Sequence, residues 1–222
     1  MALKSLSKSM IVLILNLILF LFIALNYNGA FLESLDYMVI NYTRSIPNSI
    51  LVGIFSIFTN FASFYGIAII STILILCYKR KDYALYTVVI AVLAYYVSHN
   101  LKEYFERLRP DLMQLVQETG YSFPSGSVLI ATAFYGFIML YVHYHGTSKI
   151  GKIFTYIFCI FVILGVAISR VYLKVHYCTD VIGGFALGIV LVSVFAILRN
   201  LAFGINLRSR LSAEINDMFN SD

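Results

Sequence analysis

Six long runs of apolar residues, at about 10–27, 61–78, 83–100, 125–143, 152–169 and 179–199, alternate with short polar stretches. Each run is close to the about 20 residues that a helix needs to cross a bilayer, so the pattern predicts six membrane-spanning helices. Between the first two runs, "FLESLDYMVINYTRSIPNSILVGIFSIFTN" mixes polar and apolar positions and is broken by Pro47. It reads as one or two amphipathic segments lying at the interface rather than as another span. The expected fold class is all-α: an integral membrane bundle of six transmembrane helices with an amphipathic segment between the first two.

Composition excludes the soluble classes. Of 222 residues, 60% are hydrophobic and 12% charged, with a mean hydropathy of +0.86, far from the balance of a soluble domain. Six spans use roughly 120 residues at that length per span. The expectation is therefore one domain, 1–222, with 200–222 as a cytoplasmic tail carrying both signs of charge. Lys4 and Lys8 precede the first run as in a signal peptide, but "LNYNGAF" offers no small-residue cleavage site, so the first span is expected to stay. Cys77, Cys159 and Cys178 lack C-x-x-C spacing and read as packing residues. Neither a metal nor a cofactor is expected. The net charge of +5 comes without a basic block interleaved with aromatics, so nucleic acid is not an expected partner.

The placement of charge says more than its sum. With the N-terminus in the cytoplasm, Lys4, Lys8, Lys79, Arg80, Lys81, Lys149, Lys152, Arg199, Arg208 and Arg210 fall inside, as the positive-inside rule asks. Arg44, Lys102, Arg107, Arg109, Arg170 and Lys174 fall outside, and all but Arg44 crowd into "LKEYFERLRP" and "SRVYLKVH". Ionisable groups that gather at a membrane face pair, line a cavity or bind something.

Their chemistry suits a phosphoryl group. His176 and Asp180, four residues apart, share one face at a helix start. An aspartate there can take the Nδ1 proton and leave Nε2 free as nucleophile or base; alone, the pair reads more simply as a helix cap or an interfacial hydrogen bond. Lys102, Arg109 and Arg170 offer an ammonium and two guanidinium forks to phosphoryl oxygens, although each singly is an ordinary snorkelling cation. "FPSGS" adds the Ser125 hydroxyl and backbone amides at a helix N-terminus, which favours an anion, where a capping serine is the plainer account. Cations, helix start and oriented histidine together describe phosphoryl transfer better than anchoring. Glu103, Glu106 and Arg107 read as local ion pairs.

In these residues the chain resembles the type-2 phosphatidic acid phosphatase superfamily, whose fold and pocket vanadium haloperoxidases share. The family's K-x6-R-P motif reads "KEYFERLRP" from Lys102 to Pro110, its P-S-G-H motif reads "PSGS" from Pro124 to Ser127, and its S-R-x5-H-x3-D motif reads "SRVYLKVHYCTD" from Ser169 to Asp180. The resemblance implies a phosphohistidine on His176 oriented by Asp180, phosphate binding by Lys102, Arg109, Ser125, the Gly126 amide and Arg170, and no metal. The implied partners are a lipid phosphate or diphosphate and membrane lipids, in a cell membrane with both termini cytoplasmic and the site facing outward.

The departure is Ser127, where the resemblance assigns a histidine acting as general acid. Serine has no comparable proton to give near neutral pH, and loss of a general acid costs about 10² to 10⁴ in rate. Ser127 is thus consistent with an inactivating replacement, with a natural binding protein that does not turn over, or with an enzyme whose leaving group needs little protonation. The last favours undecaprenyl diphosphate, which expels a phosphate monoester, over phosphatidate; the expected roles are recycling undecaprenyl diphosphate or dephosphorylating phosphatidylglycerophosphate. His99, one helical turn before Lys102, is a candidate proton source and reads more simply as a helix-end hydrogen-bonding residue. The expected function is a membrane lipid phosphatase; the competing expectation is a catalytically silent headgroup-binding or regulatory protein on the same fold.

Overall fold

A computed structural model describes residues 2–46, 49–77, 81–110, 114–146 and 148–219. Pro47, Lys79 and Arg80 lie outside the described residues, as do the side chains of Lys4, Arg44, Cys77, Lys81, Arg208 and Arg210. The described elements are helices: α1 Ala2–Asn26, α2 Ala30–Arg44, α3 Ser49–Asn60, α4 Phe64–Cys77, α5 Lys81–Phe105, α6 Gly126–His145, α7 Lys149–Tyr172 and α8 Cys178–Phe219.

The most enclosed helix is α6, which packs against α5, α7 and α8. Val128, Leu129, Phe134 and Tyr135 are buried around its circumference, as expected of a helix that is apolar on all sides. By contrast, α1 buries Phe20, Ile23 and Ala24 against α8 and leaves Ile11, Leu15, Ile18 and Leu25 exposed, one stripe for protein and the rest for lipid. Close approach of α6 and α8 depends on small residues, the usual device where lipid supplies no hydrophobic drive. A Cβ on Gly184 would lie 2.5 Å from the Ser125 carbonyl oxygen, and one on Gly188 would overlap the Thr132 side chain.

The six-span expectation holds in part. Among the described residues four helices are long and apolar enough to cross a membrane: Leu6–Asn26, Gly126–His145, Lys149–Tyr172 and Cys178–Ala202. A fifth arises if α3 and α4, bent by 56° at their break, form one span. The apolar run at 61–78 is long enough to suggest a span of its own; α4 is described over 14 residues, Phe64–Cys77, and with α3, from the segment expected at the interface, it forms either a broken span or a re-entrant loop. The Tyr135 hydroxyl donates to the Phe61 carbonyl at the break, 2.9 Å away, satisfying a backbone group that the bend frees. Over the third run lies α5, whose end carries Ser98, His99, Asn100, Lys102 and Glu103. The last helix, α8, runs for 42 residues and so continues into the expected tail as far as Phe219.

The ends of α1, α5 and α7 and the starts of α6 and α8 meet at one end of the bundle, with α2 lying against α7 and α8. Every charged residue of the three motifs is at that end.

Candidate active site

The turn between α7 and α8 sets the position of the histidine. Beyond Tyr172 the Leu173 amide still bonds to the Ser169 carbonyl, Lys174 takes a left-handed conformation (φ 58°), and the amides of Val175 and His176 both donate to the Arg170 carbonyl at 3.3 Å. A left-handed residue just past a helix reverses the chain and satisfies its last carbonyls. His176 is thereby tied through its backbone to Arg170, and both side chains are almost wholly buried.

Asp180 serves two groups at once. One oxygen accepts the Tyr177 amide at 2.9 Å, capping the start of α8, and the same oxygen lies 3.4 Å from His176 Nδ1. That separation is long for a hydrogen bond, and Nδ1 has no hydrogen-bond partner among the described residues. The capping and orienting readings of the H-x-x-x-D spacing therefore concern one carboxylate.

Around the imidazole stand the three motif cations. Arg109 Nη1 is 3.4 Å from His176 Nε2 and donates to the Val175 carbonyl at 2.8 Å, while its other nitrogens donate to the carbonyls of Thr119 and Gly120. Lys102 Nζ donates to the Tyr121 carbonyl at 2.8 Å. Arg170 reaches Thr59 on α3 at 3.4 Å and Glu118 at 2.6 Å. Ser125 occupies the N-cap position of α6 without a side-chain cap, so the capping account of that serine fails. Its amide instead donates to the Asp180 carbonyl at 3.0 Å. The Ser125 hydroxyl and Arg170 Nε are buried with no hydrogen-bond partner among the described residues. Gly126 follows at the helix start, where a Cβ would lie 2.7 Å from the Ser98 hydroxyl and 3.8 Å from the Lys102 side chain. Ser127 is half-buried in the same turn.

Three residues of this constellation escape the sequence reading. Glu118, on the loop before α6, sits between Arg170 and Arg109; an acidic residue between two basic motifs is its only signal. Thr59 carries none. Asp36, in the segment expected at the interface, is buried and meets Arg107 at 2.8 Å. Arg107 itself corrects an expectation: it pairs not with its neighbours in sequence but with Asp36 and, at 2.6 Å, with Asp180. It also lies over the rings of Tyr27 and Tyr177. His99 is exposed and stacks on Tyr95.

Electrostatics follow from this crowding. Burial, then the charges of Arg170, Lys102 and Arg109, hold the His176 pKa well below the usual 6.5, so the ring is neutral. Burial alone would raise Glu118, but Arg170 and Arg109 outweigh it and keep the carboxylate below its ordinary range. Burial alone would lower Arg107, and Asp180 and Asp36 reverse that. The result is a neutral imidazole facing a cationic cradle with a carboxylate lodged in it.

Comparison with known proteins finds relatives in sequence and in fold. The PAP2 superfamily matches residues 83–203, more than half of the chain and inclusive of all three motifs. Phosphatidylglycerophosphatase B of Bacillus subtilis (strain 168) is 46% identical over 93 residues, 41% of this chain and 45% of that protein, so the match spans less than half of that relative's length. The crystal structure of the first transmembrane PAP2 type phosphatidylglycerolphosphate phosphatase from Bacillus subtilis superposes with a TM-score of 0.73 at 28% identity, covering 87% of this chain and 96% of that one. Aquifex aeolicus LpxE is similar in fold, with a TM-score of 0.57 at 20% identity over 73% of this chain and 94% of its own. With the three motif cations and His176 gathered at one end of an apolar helical bundle, the chain belongs to the PAP2 superfamily as a multi-pass membrane protein.

Proposed function

We propose that this protein is a lipid phosphatase that cleaves a membrane-embedded phosphate or diphosphate ester through a phosphohistidine on His176. The observation that carries the reading is the buried imidazole with Arg109 3.4 Å from its Nε2 and Arg170 joined to it through the backbone. In the first step the Nε2 lone pair attacks phosphorus, and the P–O bond to the lipid breaks with its electrons on the departing oxygen. Arg109, Arg170, Lys102, the Ser125 hydroxyl and the Gly126 amide hold the phosphoryl oxygens as charge develops. Asp180 offsets the positive charge that the ring acquires. Water then attacks the phosphohistidine, releases inorganic phosphate and restores the imidazole.

The lipid tail has a place to go. A groove of about 450 Å³, lined by Val39, Leu51, Phe55, Ile168, Val171 and Tyr172 and apolar throughout, opens between α2, α3 and α7. Phe55 is one helical turn from Thr59, which touches Arg170. A headgroup at Arg170 and a chain in this groove fit a single amphiphile, with the site at the outer face and both termini cytoplasmic.

Ser127 bears on the substrate. A lipid alkoxide leaves with difficulty unless it receives a proton, whereas a phosphate monoester leaves as a stable anion, so Ser127 favours a lipid diphosphate such as undecaprenyl diphosphate. The names of the two Bacillus subtilis relatives support the second reading, phosphatidylglycerophosphate. The test is phosphate release by the purified protein from both lipids, with His176→Ala as the blank. Release from the diphosphate at least tenfold faster supports the first reading, and equal or reversed rates the second. Binding of both lipids without release points to a silent headgroup-binding protein.

A further inference from the structure

We infer that Asp36 and Arg107 are positioning residues for His176, acting through Asp180, and that Asp36 preserves the negative charge that Asp180 presents to the imidazole. The inference rests on the reading of His176 as nucleophile. It concerns one residue within the first motif at a non-motif position and one on α2, outside the stretch that matches the family.

The cluster is compact and almost closed to solvent. Arg107 is 9% exposed, Asp36 1% and Asp180 fully buried. The guanidinium divides itself between the carboxylates: Nη1 donates to Asp180 Oδ1 at 2.6 Å and to the Thr179 hydroxyl at 2.7 Å, and Nη2 donates to Asp36 Oδ2 at 2.8 Å. The Thr179 hydroxyl in turn donates to Asp36 Oδ2 at 2.6 Å, and the Thr179 amide to Asp36 Oδ1 at 2.9 Å. Both oxygens of Asp36 are engaged, and Asp180 keeps Oδ2 for the Tyr177 amide and the His176 side.

Charge counting shows why two carboxylates are needed. Asp180 facing Arg107 alone would make a neutral pair and offer little to a ring that becomes cationic on phosphorylation. With Asp36 sharing the guanidinium, the cluster carries one surplus negative charge, and the carboxylate nearest the imidazole can offset the developing cation. Arginine is suited to this place because a planar fork reaches two acceptors in fixed directions, which a lysine ammonium does not. A residue that merely docked α2 on α8 would have no need of the charge: an amide oxygen at position 36 could still accept the Thr179 amide.

That difference supplies the test. Asp36→Asn keeps the shape and an acceptor for Thr179 and removes the charge. In the full-length protein, kcat should fall about 10- to 100-fold, as for loss of an outer partner of a reactive group, with KM within about twofold. Inhibition by orthovanadate, which bonds to the nucleophilic nitrogen in a transition-state-like geometry, should weaken by a similar factor. Inhibition by inorganic phosphate, which needs only the cradle, should not change. Arg107→Lys, which keeps the charge but loses the fork, should show the same divergence and takes over the comparison if Asp36→Asn does not fold. A lower melting temperature with kcat and the orthovanadate constant both unchanged would reduce the pair to a structural tie and overturn the inference. Wild-type protein that neither releases phosphate nor binds orthovanadate would sink the nucleophile reading instead, a separate and recognisable result.

Discussion

Glu118 holds Arg170 at 2.6 Å and lies 3.6 Å from Arg109, so a carboxylate occupies the ground between the two guanidinium groups proposed to bind phosphate. Arg170 is almost fully buried while Glu118 is 34% exposed on its loop. A buried cation is costly to leave unpaired, and Glu118 neutralises it where substrate oxygens are proposed to sit.

Glu118 and an incoming phosphate therefore compete for the same donors. Glu118→Gln should tighten inhibition by inorganic phosphate about 3- to 10-fold, a range reduced from that of a fully buried charged hydrogen bond because Glu118 is partly solvated. The competitive inhibition constant checks this. Weaker inhibition in the variant would mean that Glu118 assists anion binding rather than opposing it.

The depressed pKa of His176 sets a pH window. Below the unfolded-state value of about 6.5, the unfolded chain takes up a proton that the folded site refuses. This contribution to stability is complete above pH 6.5 and is lost as pH falls from there toward the lower folded value. Wild-type melting temperature should drop more steeply than that of His176→Gln between pH 6.5 and 5. A ¹⁵N-histidine titration should also show His176 neutral at pH 6; a midpoint at or above 6.5 would contradict the burial argument.

Ser127→His should restore a proton donor in the first turn of α6. Phosphate release from phosphatidylglycerophosphate is expected to rise about 10²-fold, the lower range for general acid catalysis, with a far smaller change for undecaprenyl diphosphate. Parallel kcat measurements decide it. Equal gains on both lipids would detach Ser127 from leaving-group chemistry.

Two glycines should respond in opposite ways to alanine. A methyl group added at Gly53 on α3 would meet nothing within 4 Å, so Gly53→Ala should stabilise by up to about 1 kcal/mol through helix propensity. At Gly184 the same methyl would lie 2.5 Å from the Ser125 carbonyl oxygen and 3.3 Å from the Leu129 amide. Overpacking of about 1–3 kcal/mol outweighs propensity there, and the displaced Ser125 turn should weaken phosphate inhibition as well as lower the melting temperature. Thermal melts with a phosphate titration separate the two variants.

Elements whose cause is local are legible in the amino-acid order. Apolar length predicts helices where α1, α6, α7 and the first part of α8 lie, and spacing within each motif brings Lys102 near Arg109 and His176 near Asp180. Helical rise and turn chemistry act over a few residues, so they can be read from a few residues. Packing settles the rest: that Arg107 turns from its neighbours to Asp36 and Asp180, and that Glu118 lodges against Arg170. Asp36 and Arg107 are 71 residues apart in the chain. Their pairing depends on how α2 packs against α8, and no periodicity in the chain records which buried charge will meet which. Burial makes an unpaired charge costly, so each must find a partner; only the packed bundle determines the choice.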